Sequence, residues 1–353
     1  MGIEFDFFKA GYGDSILVRT DKGTNILIDG GLVKSYKNIK KRIDKLKKLD
    51  LVVLTHIDSD HINGLIYMLR KDTKNRKKIK KLWFNAQDFE VADSSIEKGF
   101  PQSIAFSKLL KDHNILHEDS IFLNHSAKEI EPFYFNEIEL RLLSPMKSDM
   151  DKLNDDFEEY IKELHKEKDS EKSFKSCIDK RNIEELAEEL ASKLKKRDDI
   201  PPKDTVPNLS SIAFILKYYD VEKEKSLSFL FLADAGIDII NTSLENLGYS
   251  EKKPLEVEFV KLSHHGSMNS INHKFLKIVK TKKYITLTNC SKFQHPNKET
   301  LSFIIINHYK KKKDLILSFN YKEIIRNKIS KDEEEQYEFT TSYEPLMRYV
   351  INE

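Results

Sequence analysis

A short apolar run, Leu51–Leu54, is followed closely by His56, Asp58, Asp60 and His61. The run has the length and composition of a buried strand, and the four residues after it are all types that bind metal ions. If they converge, they bind one or two divalent metals, and a metal pair that activates water would make the protein a hydrolase. The alternative is that the acidic residues only cap the next helix, which would not require the histidines.

Similar apolar runs alternate with turn signals along most of the chain, and helical spacings lie between some of them. The mixture of hairpins and crossovers favours two sheets with helices outside. The predicted strands are Ile3–Phe8, Ser15–Arg19, Asn25–Ile28, Leu51–Leu54, Lys81–Phe84, Ile138–Leu143, Ser211–Tyr218, Ser226–Leu232, Phe259–Leu262, Tyr284–Thr288 and Leu315–Phe319. The predicted helices lie between Val33 and Leu49, after Ile62, and over Ile237–Leu247, Asn272–Val279 and Lys298–His308.

The segment 147–207 differs from its surroundings because it is dense in lysine, glutamate and aspartate. Its spacing of Ile183, Leu186, Leu190 and Leu194 predicts a helix with one apolar face. We interpret the segment as a charge-rich helical insertion packed on the core of a single domain spanning residues 1–353, and as a possible contact for a protein partner. A solvated helical arm is the alternative.

Two later strands also end in candidate ligands. Asp234 follows Phe229–Leu232, although a lone aspartate after a strand is usually a turn residue. His264 and His265 follow the next strand, and adjacent residues of an extended chain point in opposite directions. One of the two histidines is therefore expected to bind metal first, while the other donates to substrate or supports the site. His295, before a proline, is a candidate proton donor or phosphate contact.

The composition restricts the location and the partners. With 60 basic and 58 acidic residues among 353, the net charge is +2, so any surface that binds nucleic acid must be local. Two cysteines cannot form a disulfide framework, which favours a reducing compartment. No signal peptide and no apolar run long enough to span a bilayer is seen, so we expect a cytoplasmic protein without a membrane partner.

Read in order, these motifs resemble the metallo-β-lactamase superfamily, and most closely the ComEC/Rec2-like hydrolase domain and its soluble relatives. The resemblance covers Ile3 to about Phe319. The motifs are Gly11-Tyr12-Gly13-Asp14-Ser15, Ile28-Asp29-Gly30-Gly31, Thr55-His56-Ile57-Asp58-Ser59-Asp60-His61, Asn208-Leu209-Ser210-Ser211, Leu232-Ala233-Asp234, Ser263-His264-His265-Gly266-Ser267 and His295-Pro296.

The resemblance implies an α+β (mixed α/β) fold, a four-layer αββα sandwich with metals at one edge of its sheets. It implies that Asp29 orients the ligand loop and that His295 contacts substrate or completes the site. The implied ligands are His56 and Asp58 for one metal, Asp60 and His61 for a second, Asp234 as the bridge, and His264 or His265 to complete the second site. We assign His264 to the metal, and Asp60, His265 and His295 to catalysis.

The chain departs from the wider superfamily where Asp58 replaces a histidine and where Asn208 or Ser210 replaces another. Exchanging nitrogen for oxygen ligands moves the preference from zinc toward manganese or magnesium. The resemblance therefore implies a metal-dependent phosphodiesterase or nuclease with nucleic acid as a possible substrate, and we expect such an enzyme to act in defence against foreign DNA. The alternatives are a hydrolase of a small molecule, lipid or amide, and a metal-stabilised interaction module without enzymatic activity.

Overall fold

The computed structural model describes residues 2–85, 100–128, 131–163, 177–197, 205–220 and 222–351. Within these ranges two sheets lie face to face, and helices cover the outer face of each sheet. The predicted four-layer αββα sandwich of mixed α/β class is therefore confirmed.

The chain forms its strands and helices in the following order. The strands are β1 (Gly2–Phe7), β2 (Ile16–Thr20), β3 (Asn25–Ile28), β4 (Leu51–Leu54), β5 (Leu82–Phe84), β6 (His117–Glu118), β7 (Phe133–Phe135), β8 (Ile138–Ser144), β9 (Ala213–Asp220), β10 (Lys225–Phe231), β11 (Leu255–Glu256), β12 (Val260–Lys261), β13 (Val279–Lys280), β14 (Lys283–Thr286), β15 (Ile316–Phe319), β16 (Thr340–Tyr343) and β17 (Leu346–Val350). The helices are α1 (Tyr36–Ile43), α2 (Ser59–Lys71), α3 (Thr73–Arg76), α4 (Phe100–Asp112), α5 (Lys147–Glu163), α6 (Ile183–Arg197), α7 (Val206–Leu209), α8 (Ile237–Asn246), α9 (Phe275–Ile278), α10 (Lys298–Lys310), α11 (Lys322–Lys328) and α12 (Lys331–Gln336).

The first sheet has the strand order β17-β1-β2-β3-β4-β5-β6, and the second has the order β16-β15-β14-β12-β10-β9-β8-β7. Strands β3 to β6 are parallel to one another, as are β10, β12, β14, β15 and β16. Since the carboxyl ends of neighbouring parallel strands meet at one edge, the loops that follow β4, β10 and β12 can gather their side chains together.

Alternation along the strands accounts for the four layers. In β4, Leu51 and Val53 point into the core between the sheets, whereas Val52 and Leu54 pack under the outer helices. In β10, Phe229 and Phe231 belong to the same central core, and Leu230 between them belongs to the core beneath the helices of the other side. Leu51–Leu54 and Phe229–Phe231 therefore read as continuously apolar because both of their faces are buried.

The predicted strands are confirmed to within two residues at each end, but other elements differ. Helix α9 is much shorter than the predicted Asn272–Val279. The terminal strands β16 and β17 were not predicted, although β17 pairs with β1. Their exposed, alternating residues lack a continuous apolar run, so only the pairing with an existing sheet makes them strands.

Helices α5 and α6 lie in the charge-rich segment 147–207. The predicted apolar face of α6 is buried and packs against α10, so this helix is not a solvated arm. Residues 164–176 and 198–204 of the segment lie outside the described residues. The boundaries of the insertion and its protein partner stay predictions.

A disulfide joins Cys177 to Cys290, with 5.9 Å between the two Cα atoms. This pairing differs from the expectation of reduced thiols. The two cysteines are 113 residues apart in the chain. The sequence alone therefore does not indicate that Cys177, before α6, lies against the loop that follows β14. Among the described helices, none combines the length and the apolar character that crossing a membrane requires.

Candidate metal centre

The first ligand loop runs from β4 into α2 and is held by close backbone contacts. A β-carbon at Gly13 would collide with the carbonyl oxygen of Asp60, and one at Gly64 would collide with that of Gly30. These approaches explain the need for glycine at both positions. Asp58 occupies the N-cap position of α2, but its side chain forms no capping hydrogen bond. Capping therefore does not account for the carboxylate of Asp58.

Asp29 fixes the geometry of this loop. Its carboxylate accepts hydrogen bonds from the backbone N–H and the hydroxyl of Thr55, both at 2.8 Å. The same carboxylate lies 2.8 Å from Nδ1 of His61. Because Nδ1 is engaged with Asp29, the Nε2 atom of His61 is turned toward the centre as its available ligand atom. This geometry agrees with the orienting role that the resemblance implies for Asp29.

Three buried imidazoles and two buried carboxylates converge beyond this loop. Nε2 of His61 lies 3.6 Å from Asp234, and Nε2 of His265 lies 3.4 Å from Asp60 and 3.6 Å from Asp234. The ring of His56 lies 4.1 Å from that of His61, centroid to centroid. Nε2 of each histidine and one oxygen of Asp234 are buried and have no hydrogen-bond partner among the described residues. Such atoms are costly to bury unless something binds them.

Four groups of three side chains within the described ranges have ligand atoms that lie within 4.8 Å of one another. Two of them use the outward Nε2 atom of His61. The donor set combines imidazole nitrogens with carboxylate oxygens, which suits a divalent transition metal. The groups are His56, His61 and Asp234; Asp60, His61 and His265; Asp14, Asp234 and His265; and Asp14, Asp29 and His61.

The adjacent histidines after β12 take different positions. Both have left-handed backbone angles, with φ of 41° at His264 and 52° at His265, which side chains with a β-carbon seldom adopt. His265 is buried, and its Nδ1 lies 2.8 Å from the carbonyl oxygen of Leu287. His264 is partly exposed, with Nε2 4.0 Å from Asp234, and belongs to none of the four groups. The strained turn thus places one histidine in the centre and the other at its mouth.

Lys261 and Asp14 form a buried ion pair beside these ligands. The ammonium group also donates to the carbonyl oxygen of Ala233 at 3.0 Å and lies 3.9 Å from Asp234. Asp14 in turn lies 3.2 Å from Nδ1 of His265. Neither Lys261 nor Asp14 was assigned a role from the sequence. The signal that could have found the lysine is its place inside an apolar strand, where charged side chains are rare unless paired.

The electrostatics of the centre favour positive charge. Burial alone would lower the pKa of His265, but the carboxylates of Asp234 and Asp14 outweigh burial and raise that pKa to about 10. The pKa of His61 also lies well above its ordinary value, because Asp234 and Asp29 outweigh burial. The facing imidazoles lower the pKa of Asp60 and Asp234 despite burial. Without a cation, protons on the histidines therefore balance the buried carboxylates.

The remaining predicted residues lie at the mouth of the centre. Asp58 is 3.7 Å from Nε2 of His56 and is partly exposed. The ring of His295 lies 5.2 Å from that of His264 but belongs to none of the four groups. Burial, followed by the nearby histidines, lowers the pKa of His295 to about 3, so its ring is neutral near pH 7. Asn208 approaches His264, with 3.3 Å between its amide nitrogen and Nδ1.

One family model and several solved structures are similar to this chain. The family model described as the metallo-beta-lactamase superfamily matches residues 9–140. Similar solved structures include a diphosphatase from the PhnP family, with 11% identity, coverage of 100% of this chain and 98% of that chain, and a TM-score of 0.39. Zinc-bound PqqB from Methylobacterium extorquens is 9% identical, covers 99% of this chain and 100% of its own, and has a TM-score of 0.44.

A long form RNase Z from yeast is 12% identical over 98% of this chain, with a TM-score of 0.41. This chain spans only 44% of the length of that enzyme. A comparison with curated proteins gave no match. The family model covers β2 to β4 and the loop with His56, Asp58, Asp60 and His61. The match to the metallo-beta-lactamase superfamily model therefore includes the first ligand loop of the centre.

Proposed function

We propose that this protein is a metal-dependent hydrolase that cleaves phosphodiester bonds, with nucleic acid as its substrate. The observation that carries the proposal is the convergence of the buried Nε2 atoms of three histidines on the carboxylate of Asp234, with no hydrogen-bond partner for any of the three nitrogens among the described residues. An apolar or merely structural role for these groups would leave their desolvation uncompensated. One or two divalent cations fit the donor set, with manganese or zinc favoured by its mixture of nitrogen and oxygen atoms and magnesium as a further candidate.

The ligand roles follow from the positions of the side chains. We assign His56 and Asp58 to one side of the centre, Asp60, His61 and His265 to the other, and Asp234 between them. This assignment exchanges the roles first predicted for the adjacent histidines, because His265 rather than His264 is buried among the other ligands.

The residues of the chain contribute orientation, charge and substrate contact. Bound divalent cations supply Lewis acidity toward a phosphoryl oxygen and lower the pKa of water near them. Asp29 holds His61 in the orientation that presents Nε2, and Asp14 contacts Nδ1 of His265. His264 and His295 lie at the mouth, where a substrate phosphate can reach them. The lowered pKa of His295 favours contact with the phosphate over donation of a proton.

The phosphodiester, the closer likeness to ComEC-like domains and a role in defence against foreign DNA come from the resemblance and complete the proposal. A panel of single-stranded DNA, double-stranded DNA, RNA and a generic phosphodiester, each with manganese, zinc or magnesium, tests the substrate class. Hydrolysis of none of these substrates would contradict the phosphodiesterase assignment and turn attention to amides or small molecules.

Asp60→Asn and Asp234→Asn separate an enzyme from a metal-stabilised interaction module. Each variant is expected to lower hydrolysis by at least about 100-fold, because a ligand and its charge are lost. Asp238→Asn is the matched control, since Asp238 is an exposed residue of α8 close to Asp234 in the chain. Unchanged biological activity in both site variants would favour the interaction module.

A further inference from the structure

We propose that the aromatic residues beside the metal centre bind an unpaired base of the substrate, so that the preferred substrate is single-stranded nucleic acid. This inference rests on the proposed function. The residues are Tyr12, Lys292, Phe293 and His295, which we call the aromatic rim. They lie on two loops, one between β1 and β2 and one between β14 and α10.

The rings of the rim form an ordered stack with one exposed member. Phe293 lies 5.6 Å from His295, centroid to centroid, with only 26° between the ring planes. Tyr12 meets Phe293 edge to face at 6.4 Å and 89°. Phe293 is 39% exposed although apolar rings usually gain by burial. The stack therefore holds an exposed aromatic surface in a fixed orientation.

Two connections tie the rim to the metal centre. His295 lies 5.2 Å from the ring of His264, whose Nε2 is 4.0 Å from Asp234. On the other loop, Tyr12 is followed two residues later by Asp14, which contacts His265. A group resting on Phe293 is therefore separated from the centre by little more than the rings of two histidines.

The rim also carries positive charge. Nζ of Lys292 lies 5.1 Å from the centroid of Phe293 and 5.2 Å from that of Tyr12. Aromatic side chains with a neighbouring cation bind single strands by stacking on a base and contacting the backbone phosphate. In a duplex the faces of the bases are already stacked on one another. The combination of a ring face, an ammonium group and a nearby metal centre thus fits an unpaired base next to a phosphodiester.

The test compares Phe293→Ala and Phe293→Trp on two substrates of equal length, oligothymidylate and an oligomer of abasic deoxyribose phosphate. Phe293→Ala is expected to lower kcat/KM on oligothymidylate by about tenfold or more, the effect of losing one stacked base, and to change it less than about twofold on the abasic oligomer. Phe293→Trp keeps a ring and is expected to retain the preference. Tyr134→Ala is the control, because Tyr134 is a 64% exposed aromatic residue of β7.

Lys292→Gln provides an independent readout. It is expected to weaken binding of both oligomers. The slope of log Kd against log salt concentration should fall by about one, the change expected for one lost phosphate contact. An unchanged salt dependence would overturn the phosphate contact assigned to Lys292.

The outcomes separate this inference from the proposed function. Equal losses on both substrates in Phe293→Ala would overturn base stacking while leaving the phosphodiesterase intact. If the wild-type protein hydrolyses neither oligomer and none of the substrates of the panel described above, the proposed function fails, and fluorescence anisotropy with labelled oligothymidylate decides the rim separately. Binding of oligothymidylate that is about tenfold weaker in Phe293→Ala than in the wild type supports the inference. Equal binding by the wild type and Phe293→Ala overturns it. Preference of the wild type for duplex over single strand overturns it as well.

Discussion

The two ends of the second sheet present opposite kinds of polar surface. At the carboxyl ends of β10 and β12, the chain buries imidazoles and carboxylates, and several of their ligand atoms lack a hydrogen-bond partner among the described residues. At the amino ends of β12, β14 and β15 lies a cleft of about 680 Å³. It is lined by Lys280, Lys282 and the run Lys311–Lys313, together with acidic residues.

The histidines make the contrast plain. His308 borders the amino-end cleft, and both of its ring nitrogens have partners, the carbonyl oxygen of Asp314 at 3.2 Å and the hydroxyl of Tyr284 at 3.4 Å. Among the described residues, His61 and His265 have hydrogen-bond partners only at Nδ1, and their Nε2 atoms face the carboxylates of the centre. The lysines of the cleft are exposed, and two of them pair with Glu256 and Asp314. Buried ring nitrogens without a hydrogen-bond partner in the described part of the chain therefore distinguish the carboxyl end from the amino end.

The largest effect is expected from exchanging one histidine at each end. His265→Asn should lower metal affinity and hydrolysis by more than about 100-fold, because it removes a buried ligand. His308→Asn removes an imidazole of similar burial that faces no ligand group, so its metal content should equal that of the wild type. Elemental analysis after gel filtration measures the metal content of both variants. Initial rates on one substrate measure their activity. Equal loss of bound metal in His265→Asn and His308→Asn would contradict the contrast between the two ends of the sheet.

The lysines provide the next test. Lys261→Met should lower the free energy of unfolding by about 3–5 kcal/mol in metal-free buffer, because it leaves the buried carboxylate of Asp14 without its partner. Added manganese should restore part of this loss, since a cation can replace the missing positive charge. Lys298→Met is the control, because this lysine is also buried but pairs with Glu333. Urea unfolding measures both, and an equal response to manganese would contradict a role of Lys261 in the charge of the centre.

The pH dependence of metal binding should distinguish the two ends as well. The carboxylates around His265 and His61 raise the pKa of both rings, so these rings carry protons near neutral pH when no metal is bound. A metal must displace those protons, and its apparent affinity should therefore increase as the pH rises from 6 to 8. Burial lowers the pKa of His308 to about 4, so this ring contributes no proton.

Calorimetry of metal binding in two buffers with different ionisation enthalpies measures the released protons. Release of about one or two protons at pH 7 is expected. An affinity independent of pH, with no proton released, would contradict the charged state assigned to the centre.

The smallest effect is expected at the amino-end cleft. Lys312→Gln and Lys313→Gln alter exposed residues at the end of the sheet opposite to the proposed metal centre. Hydrolysis should remain within about twofold of the wild-type rate, as is usual for surface substitutions. A steep loss of activity on nucleic acid in either variant would place a substrate contact in the cleft and weaken the contrast between the two ends.

The strands and the first ligand loop could be predicted from sequence because both faces of most strands are buried and leave continuous apolar runs. The choice between His264 and His265 as the metal ligand could not be predicted. It depends on a left-handed turn, whereas the prediction assumed the alternating side-chain directions of an extended strand. Lys261 was missed because its partner, Asp14, lies far away in the chain. The pairing of Cys177 with Cys290 and the terminal strand β17 likewise depend on contacts that only the folded sheets create.

Anomalous diffraction from crystals of the wild-type protein grown with manganese or zinc tests the metal centre most directly. A peak is predicted within about 2.0–2.3 Å of Nε2 of His61 and His265 and of the carboxylate of Asp234. A second peak, if present, should lie on the side of His56 and Asp58. No peak between these side chains in crystals of metal-loaded protein, or a peak found only among the residues of the amino-end cleft, would contradict the centre and the hydrolase built on it.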